Sequence, residues 1–343
     1  VLLKQLSEAI GVSGCEDEVR RIIRENVEPY VDEISVDSLG NLITYKKGEG
    51  QSPLKVMLSA HMDEVGFMIT YIDEKGYLHF RPVGGIDERI LLGKRVVIGE
   101  KRIPGVIGVK PIHLLKEEER NKVIPVDKLV IDIGASSKAE AEKLVKIGDY
   151  AAFATAFTQL GSKVVKGKAF DDRAGCAVLA ELVKERYPFD VYAVFTVQEE
   201  VGLRGAKVAA FRIGPDAAFA LEGTIADDLP KKKDVSPTTR LGYGPAITIM
   251  DRSFVAFQPL VRLLVDTAEA EGIPYQFKQP LVGGTDSGAI HLTKEGIPSA
   301  TVAVPCRYIH SPASILNLED FENTIRLMKA TLRRLTPEIL QLT

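Results

Sequence analysis

The stretch Val191-Tyr192-Ala193-Val194-Phe195-Thr196-Val197 runs without a charge into Gln198-Glu199-Glu200. A short run rich in β-branched and aromatic residues reads as a buried strand. Two adjacent carboxylates closing such a strand would repel at the low-dielectric edge of a sheet unless something cationic sits beside them. Three other hydrophobic runs share the design: Val56 to Ser59 leads into His61, Ala217 to Leu221 into Glu222, and Thr301 to Val304 toward His310. In an open α/β sheet, the crevice past the carboxyl ends of the strands is where ligands bind. With Asp171-Asp172 opening a helical pattern, His61, Asp171, Glu200, Glu222 and His310 assemble on paper into a five-ligand metal site.

Working outward, Leu2, Leu3, Leu6 and Ile10, then Val19, Ile22, Ile23 and Val27, fall at helical spacing. Leu39-Gly40-Asn41 reads as a turn between two short strands, and Lys55 to Ser59 as a buried one. From about residue 66 the texture changes to short apolar alternation punctuated by Glu74-Lys75-Gly76, Gly84-Gly85, Gly93, Gly99, Gly105 and Gly108. That predicts a small β-barrel or sandwich, interrupted by a short helix over Lys138 to Val145 before strand character resumes at Tyr150 to Thr158. Beyond Lys168 strands and helices alternate. Asp172 is placed to cap a helix bearing Ala174, Val178, Leu179, Leu182 and Val183, and Asn317 to cap a last one bearing Phe321, Ile325, Met328, Leu332 and Leu335. The expected fold is α/β, a mixed sheet flanked by helices with an inserted small β-barrel. Its catalytic domain is discontinuous, 1–67 and 161–343, around a barrel at 68–160.

A chain of 343 residues with 45% hydrophobic content exceeds what one core usually sustains, in keeping with two domains. A net charge of −3 and the lack of a basic, aromatic-interleaved patch argue against nucleic acid, and Lys231-Lys232-Lys233 reads as a solvated loop. No apolar stretch approaches the roughly 20 residues that span a bilayer, so membrane association is not expected and a cytoplasmic location is. Cys15, Cys176 and Cys306 are odd in number, widely spaced and without a C-x-x-C pair, the pattern of reduced structural thiols.

Each candidate has a plain structural reading when taken singly. His61 could be an ordinary strand-end histidine, Asp171 and Asp172 helix caps, and Glu222 a solvated turn residue. The joint pattern is stronger than its parts. Two divalent cations bring four positive charges; Asp171, Glu200 and Glu222 supply three negatives and a bridging hydroxide the fourth. Glu199 is then left as a free carboxylate to take and deliver a proton. Asp63, two residues from His61 on an extended segment, is placed to hold the second imidazole nitrogen. His79, His113 and His291 have no partner at ligand spacing and read as structural or exposed.

The strings Ser59-Ala60-His61-Met62-Asp63-Glu64-Val65-Gly66, Phe170-Asp171-Asp172-Arg173-Ala174-Gly175-Cys176-Ala177, Val197-Gln198-Glu199-Glu200-Val201-Gly202, Gly283-Gly284-Thr285-Asp286 and Arg307-Tyr308-Ile309-His310-Ser311-Pro312 carry a resemblance. Together they resemble the glutamyl, deblocking or tetrahedral aminopeptidase family of dinuclear metallopeptidases, over essentially the whole chain. The resemblance implies a zinc-exopeptidase-like catalytic domain and a β-barrel dimerisation domain, often assembled into a tetrahedral dodecamer that trims peptides at the amino terminus. It implies two divalent ions per subunit, zinc or cobalt, with Asp171 bridging, His61 and Glu222 on one ion, and Glu200 and His310 on the other. It further implies Glu199 as general base, Asp63 as the residue orienting His61, a cis Asp171–Asp172 bond, and Gly284, Thr285 and Asp286 on the substrate wall. Glu222 stands where many members carry Asp, and the extra methylene alters its reach.

The rival class is a glycoside hydrolase of endoglucanase type, since paired carboxylates at strand ends also suit glycosidic cleavage. That chemistry needs neither histidines nor metals, and the chain has no Trp for a sugar platform. Acidic, basic and neutral preferences at the cleaved residue all stay open at this level.

Overall fold

A computed structural model of the protein describes residues 2–230, 238–279 and 283–341. The Lys231-Lys232-Lys233 run lies outside the described residues. Four parallel strands form the centre of an 11-stranded sheet: Asp190–Thr196, Lys55–His61, Ala217–Ile225 and Ser299–Arg307, in that spatial order. The hairpin Glu33–Val36 and Leu42–Lys46 extends one side, turning over Asp37 and Gly40 as the sequence predicted. Ser314–Asn317, Val164–Gly167 and Thr158–Leu160 extend the other, while Ala246–Thr248 and Gln276–Lys278 branch from Ser299–Arg307.

Helices cover both faces of the sheet, which is why its central strands are apolar throughout rather than alternating. Val56, Leu58, Phe219 and Leu221 pack against Leu6, Ile23, Val178, Leu264 and Met328, side chains of Leu2–Glu8, Asp17–Val27, Phe170–Leu182, Gln258–Ala270 and Leu318–Arg334. Their neighbours Met57 and Ala218 face the other way, onto Ala206, Ala209, Ala210 and Ile290. The expected caps form: Asp172 accepts from the Gly175 N–H and Asn317 from the Glu319 N–H.

The glycine-punctuated region closes into a six-stranded antiparallel barrel of Gly66–Ile72, Leu78–Val83, Ile131–Asp132, Ile103–Ile107, Arg95–Ile98 and Tyr150–Phe153. Its core is an aromatic cluster in which Phe67 meets Phe80 and Phe153 edge-on, with ring centroids 5.0 and 5.2 Å apart. The strand reading from Tyr150 to Thr158 divides here. Tyr150–Phe153 closes the barrel, whereas Thr158–Leu160 hydrogen-bonds to Val164–Gly167 in the large sheet.

Candidate metal centre

Because the four central strands run parallel, their carboxyl ends open on one side, and residues far apart in sequence meet there. Thr196 is in register with His61, so the loop carrying Glu199 and Glu200 rises beside the imidazole. Glu222 is not at a strand end, as its sequence context suggested, but inside Ala217–Ile225, opposite Ala303; the ladder with Ser299–Arg307 continues to Ile225. Gly223 follows for a reason of space: a Cβ there would lie 2.8 Å from the Asp171 Cα. The cis Asp171–Asp172 segment therefore rests directly on this strand. His310 sits in the loop after Ser299–Arg307 with φ of 56°, one of several non-glycine residues in the left-handed region around the cleft, with Ala169, Gln198, Leu203 and Tyr308. Strained backbone of this kind concentrates at functional sites.

Asp171 stands between the two histidines, its Oδ1 3.3 Å from His61 Nε2 and its Oδ2 3.5 Å from His310 Nε2. Glu222 Oε2 lies 3.6 Å from His61 Nε2, and Glu200 Oε2 3.3 Å from His310 Nε2. In each of the sets His61, Asp171, Glu222 and Asp171, Glu200, His310, ligand atoms lie within 4.8 Å of one another; His61, Glu199 and Glu200 form a third such set. Asp63 does what its spacing predicted, since its carbonyl and Oδ1 lie 3.2 and 3.3 Å from His61 Nδ1. The same carboxylate accepts the backbone N–H groups of Glu199 and Glu200 and the Ser13 hydroxyl, tying the histidine loop to the glutamate loop. The His310 ring is fixed from the barrel side, 2.9 Å from the Gly85 carbonyl.

Burial dominates the electrostatics, pushing Glu199 and Glu222 well above the usual carboxylate range and Glu200 up to about 8, with neighbouring carboxylates adding to the rise. Burial also lifts Asp63, but hydrogen bonds from His61, Ser13 and the Glu199 N–H outweigh it and hold the group below its ordinary value. Burial opposes charge on His310, yet Asp171 and Glu200 raise it to about 10. Four carboxylates and two imidazoles that neutralise one another only by holding protons are a donor set suited to divalent cations, which supply the missing positive charge without them.

A cavity of about 500 Å³ opens onto this cluster, bounded by His61, Asp171, Glu199, Glu200, Glu222 and His310 at its charged end. Gly284 and Thr285 line it as well. Asp286 instead is fully buried behind Glu222: its N–H donates to Glu222 Oε1 and its Oδ2 accepts from Thr196, while Oδ1 has no partner among the described residues. Two features had no single-residue signal. Lys278, on the remote strand Gln276–Lys278, also lines the cavity. Glu64, beside the metal-loop residues, is buried against Lys168 and Arg173. His79, His113 and His291 join no ligand set among the described residues, and none of the three cysteines is paired.

A family model, the M42 glutamyl aminopeptidase, matches residues 40–327. A putative aminopeptidase of Acetivibrio thermocellus is 45% identical across 95% of this chain and 96% of its own length. The lysyl aminopeptidase of Pyrococcus furiosus is 35% identical, covering 98% of this chain and 97% of its own. Among solved structures, the Pyrococcus horikoshii TET1 peptidase, which can assemble into a tetrahedron or a large octahedral shell, superposes with a TM-score of 0.86 at 38% identity, covering 97% of this chain and 98% of its own. A match over most of the chain, together with relatives similar from end to end, shows that this chain belongs to the M42 glutamyl aminopeptidase family of peptidases.

Proposed function

We propose that the chain removes the amino-terminal residue from peptides with two divalent ions, zinc or cobalt, held by His61 and Glu222, by Glu200 and His310, and by Asp171 between them. The observation that carries this reading is Asp171 itself, whose two oxygens face two histidines that each have a second carboxylate of their own. Such ions, when bound, lower the pKa of a shared water and polarise a carbonyl. Glu199 takes a proton from the attacking water, a C–O bond forms at the peptide carbonyl, and the same proton passes to the nitrogen as the C–N bond breaks. Two properties support that role: burial pushes its carboxyl well above the usual carboxylate range, making it a stronger proton acceptor, and its oxygens accept no hydrogen bond from a described residue, the nearest ring nitrogen being His61 Nε2 at 3.8 Å. Asp63 keeps the His61 ring in one orientation and fixes the Glu199 backbone relative to it. Gly284 and Thr285 bound the substrate space, with Asp286 supporting Glu222 from behind.

The division into a catalytic part, read from the sequence as 1–67 and 161–343, and a dimerisation barrel, 68–160, belongs to the same proposal, with Gly66 and Phe67 falling on the barrel side and Thr158–Leu160 on the catalytic side. Val106, Val109, Ile112, Leu114 and Val123 are exposed on the barrel and its excursion, surface suited to contact between copies. Together with the assemblies of the horikoshii relative, this favours self-association up to a tetrahedral dodecamer. No helix among the described residues is long and apolar enough to cross a membrane. A cytoplasmic location is part of the same proposal, and the three free cysteines are compatible with it.

The test is Glu199→Gln. The variant is expected to bind zinc or cobalt by calorimetry as the parent does while kcat on Leu-p-nitroanilide falls at least about 100-fold. Retained turnover would refute the base assignment. Polysaccharide cleavage that survives a chelator, with no peptide cleavage, would favour the glycosidase.

A further inference from the structure

The loop that carries Glu199 and Glu200 leaves the sheet at Thr196, where the parallel pairing with Lys55–His61 ends. Its backbone groups then need other partners. The carbonyls of Val197, Gln198 and Glu199 accept from N–H groups further round the same loop, those of Gly205, of Arg204, and of both Gly202 and Leu203. The N–H groups of Val197, Gln198, Glu199 and Glu200 instead donate to side chains from elsewhere in the chain. They meet Asn41 Oδ1 at 3.0 Å, Glu16 Oε1 at 3.2 Å, and the two oxygens of Asp63 at 3.0 and 3.1 Å. Asp63 reaches the site through His61, whereas Asn41 belongs to a hairpin turn that contributes no ligand.

Asn41 is fully buried, and its bonds fix which end of the amide faces which partner. Nδ2 donates to Asp37 Oδ2 at 2.7 Å and to the Gly205 carbonyl at 3.0 Å, neither of which can donate in return. Oδ1 accepts from the Val197 N–H, which cannot accept. Val197 and Gly205 are the two ends of the loop, so one amide spans its neck. An Asp here would have no donor for the Gly205 carbonyl, and a Gln would carry its amide one methylene too far. Gly205 matches the same arrangement, since a Cβ there would stand 2.3 Å from Asn41 Oδ1. Asp37 is held in turn by the N–H groups of Leu39, Gly40 and Asn41, which its Oδ1 accepts.

The two glutamates on this loop depend on it differently. Glu200 Oε2 lies 3.3 Å from His310 Nε2, within a ligand set that also includes Asp171. The Glu199 carboxylate has no such neighbour closer than His61 Nε2 at 3.8 Å, so its position is inherited from the backbone beneath it. We propose that Asn41 is a positioning residue for the peptidase reaction: by bridging the ends of the 197–205 loop and tying them to the turn at Asp37, it sets where Glu199 presents its carboxylate. This rests on the peptidase reading above, with Glu199 as the base. Proton transfer needs a heavy-atom reach of about 2.6–3.2 Å, and a misplacement of about 1 Å from a residue outside the chemistry costs about 100-fold in rate.

The experiment compares the wild type with Asn41→Ala, with the milder Asp37→Asn, and with Thr44→Val. Asp37→Asn keeps the volume but offers Asn41 Nδ2 a donor where it had an acceptor. Thr44→Val removes a buried hydrogen bond to the Ala193 carbonyl in the same hairpin without touching the loop, and so controls for lost stability. Hydrogen exchange of the metal-free proteins should speed up at least about 10-fold over residues 197–205 in Asn41→Ala, to a smaller degree in Asp37→Asn, and not in Thr44→Val. On Leu-p-nitroanilide, kcat should fall about 10- to 100-fold in Asn41→Ala, with KM and calorimetric zinc affinity within about threefold of wild type. Thr44→Val should keep kcat. In a Glu199→Gln background, Asn41→Ala should lower the residual kcat less than about threefold, because the group it positions is already gone. Unchanged exchange over 197–205 in Asn41→Ala overturns the proposal, as does a full multiplicative loss of kcat in the Glu199→Gln background or an equal loss in Thr44→Val. Faster exchange in Asn41→Ala, in a protein whose wild type cleaves no anilide, would refute the peptidase reading and leave the tie between Asn41 and the loop standing.

Discussion

Replacing Glu64 by Gln changes one atom type and no volume, yet it is predicted to be among the most damaging substitutions outside the metal cluster. Glu64 is 3% exposed. Its Oε1 accepts from Lys168 at 2.6 Å, from Arg173 at 3.1 Å and from the Gly11 N–H at 3.1 Å, and its Oε2 from Lys168 at 2.7 Å. At an effective dielectric near 20, those separations correspond to about 5–6 kcal/mol of Coulomb attraction per cation. Not all of it is lost, because Lys168 can shed its proton; burial has already lowered its pKa to about 8. Arg173 has no such escape, and it is fully buried, with its remaining donors on the carbonyls of Met62, Leu6, Ala9 and Gly11. The net cost of Glu64→Gln is therefore about 3–5 kcal/mol, that of stranding a buried charge. Lys168→Met is the control. It leaves Glu64 and Arg173 as a one-to-one pair and loses the bond to Ala9, for about 1–3 kcal/mol. The assay is urea unfolding in chelator at neutral pH, so that metal binding does not contribute to the difference. If Glu64→Gln costs no more than Lys168→Met, charge balance is not what fixes this cluster, and the reasoning fails.

Two further outcomes are expected. Asp63→Asn should weaken metal binding about 10- to 100-fold by calorimetry, because the His61 ring loses its carboxylate partner; unchanged affinity would show that the ring is held by other contacts. Burial raises Asp320 to about 6 although it accepts the N–H groups of Gly242 and Gly244. The native protein then holds a proton between about pH 4 and pH 6 that the unfolded chain has released, so this group's contribution to stability declines as pH rises through that window. Unfolding free energies of wild type and Asp320→Asn should accordingly diverge in favour of wild type at pH 5 relative to pH 7. A pH-independent difference would contradict the shift.

Much of the candidate site was legible because the signals were local. A charge closing an apolar run is visible in a dozen residues, and so His61, Glu199, Glu200 and His310 were found without knowing which strands neighbour one another. Asp172 and Asn317 were readable as caps because the bond each makes reaches only two or three residues ahead. Glu222 was found but set at a strand end, since nothing in the sequence shows that Ser299–Arg307 keeps pairing with its strand through Ile225. Asp286 was grouped with Gly284 and Thr285 by proximity in sequence, yet one step further along the chain its side chain turns from the cavity wall into the core behind Glu222.

By itself the sequence determined the element types, the barrel texture of the glycine-punctuated segment, and which chemical groups stand at the strand termini, because period, turn chemistry and side-chain identity act over a few residues. Tertiary structure decided which of those groups meet. Parallel alignment of strands from four distant parts of the chain sets Asp171 between His61 and His310, and packing closes Lys168 and Arg173 around Glu64. Register passed across three strands brings Lys278 to the cavity. Each of these contacts joins residues well separated in sequence, so its energy exists only once the loops between them have closed, and no local pattern records it.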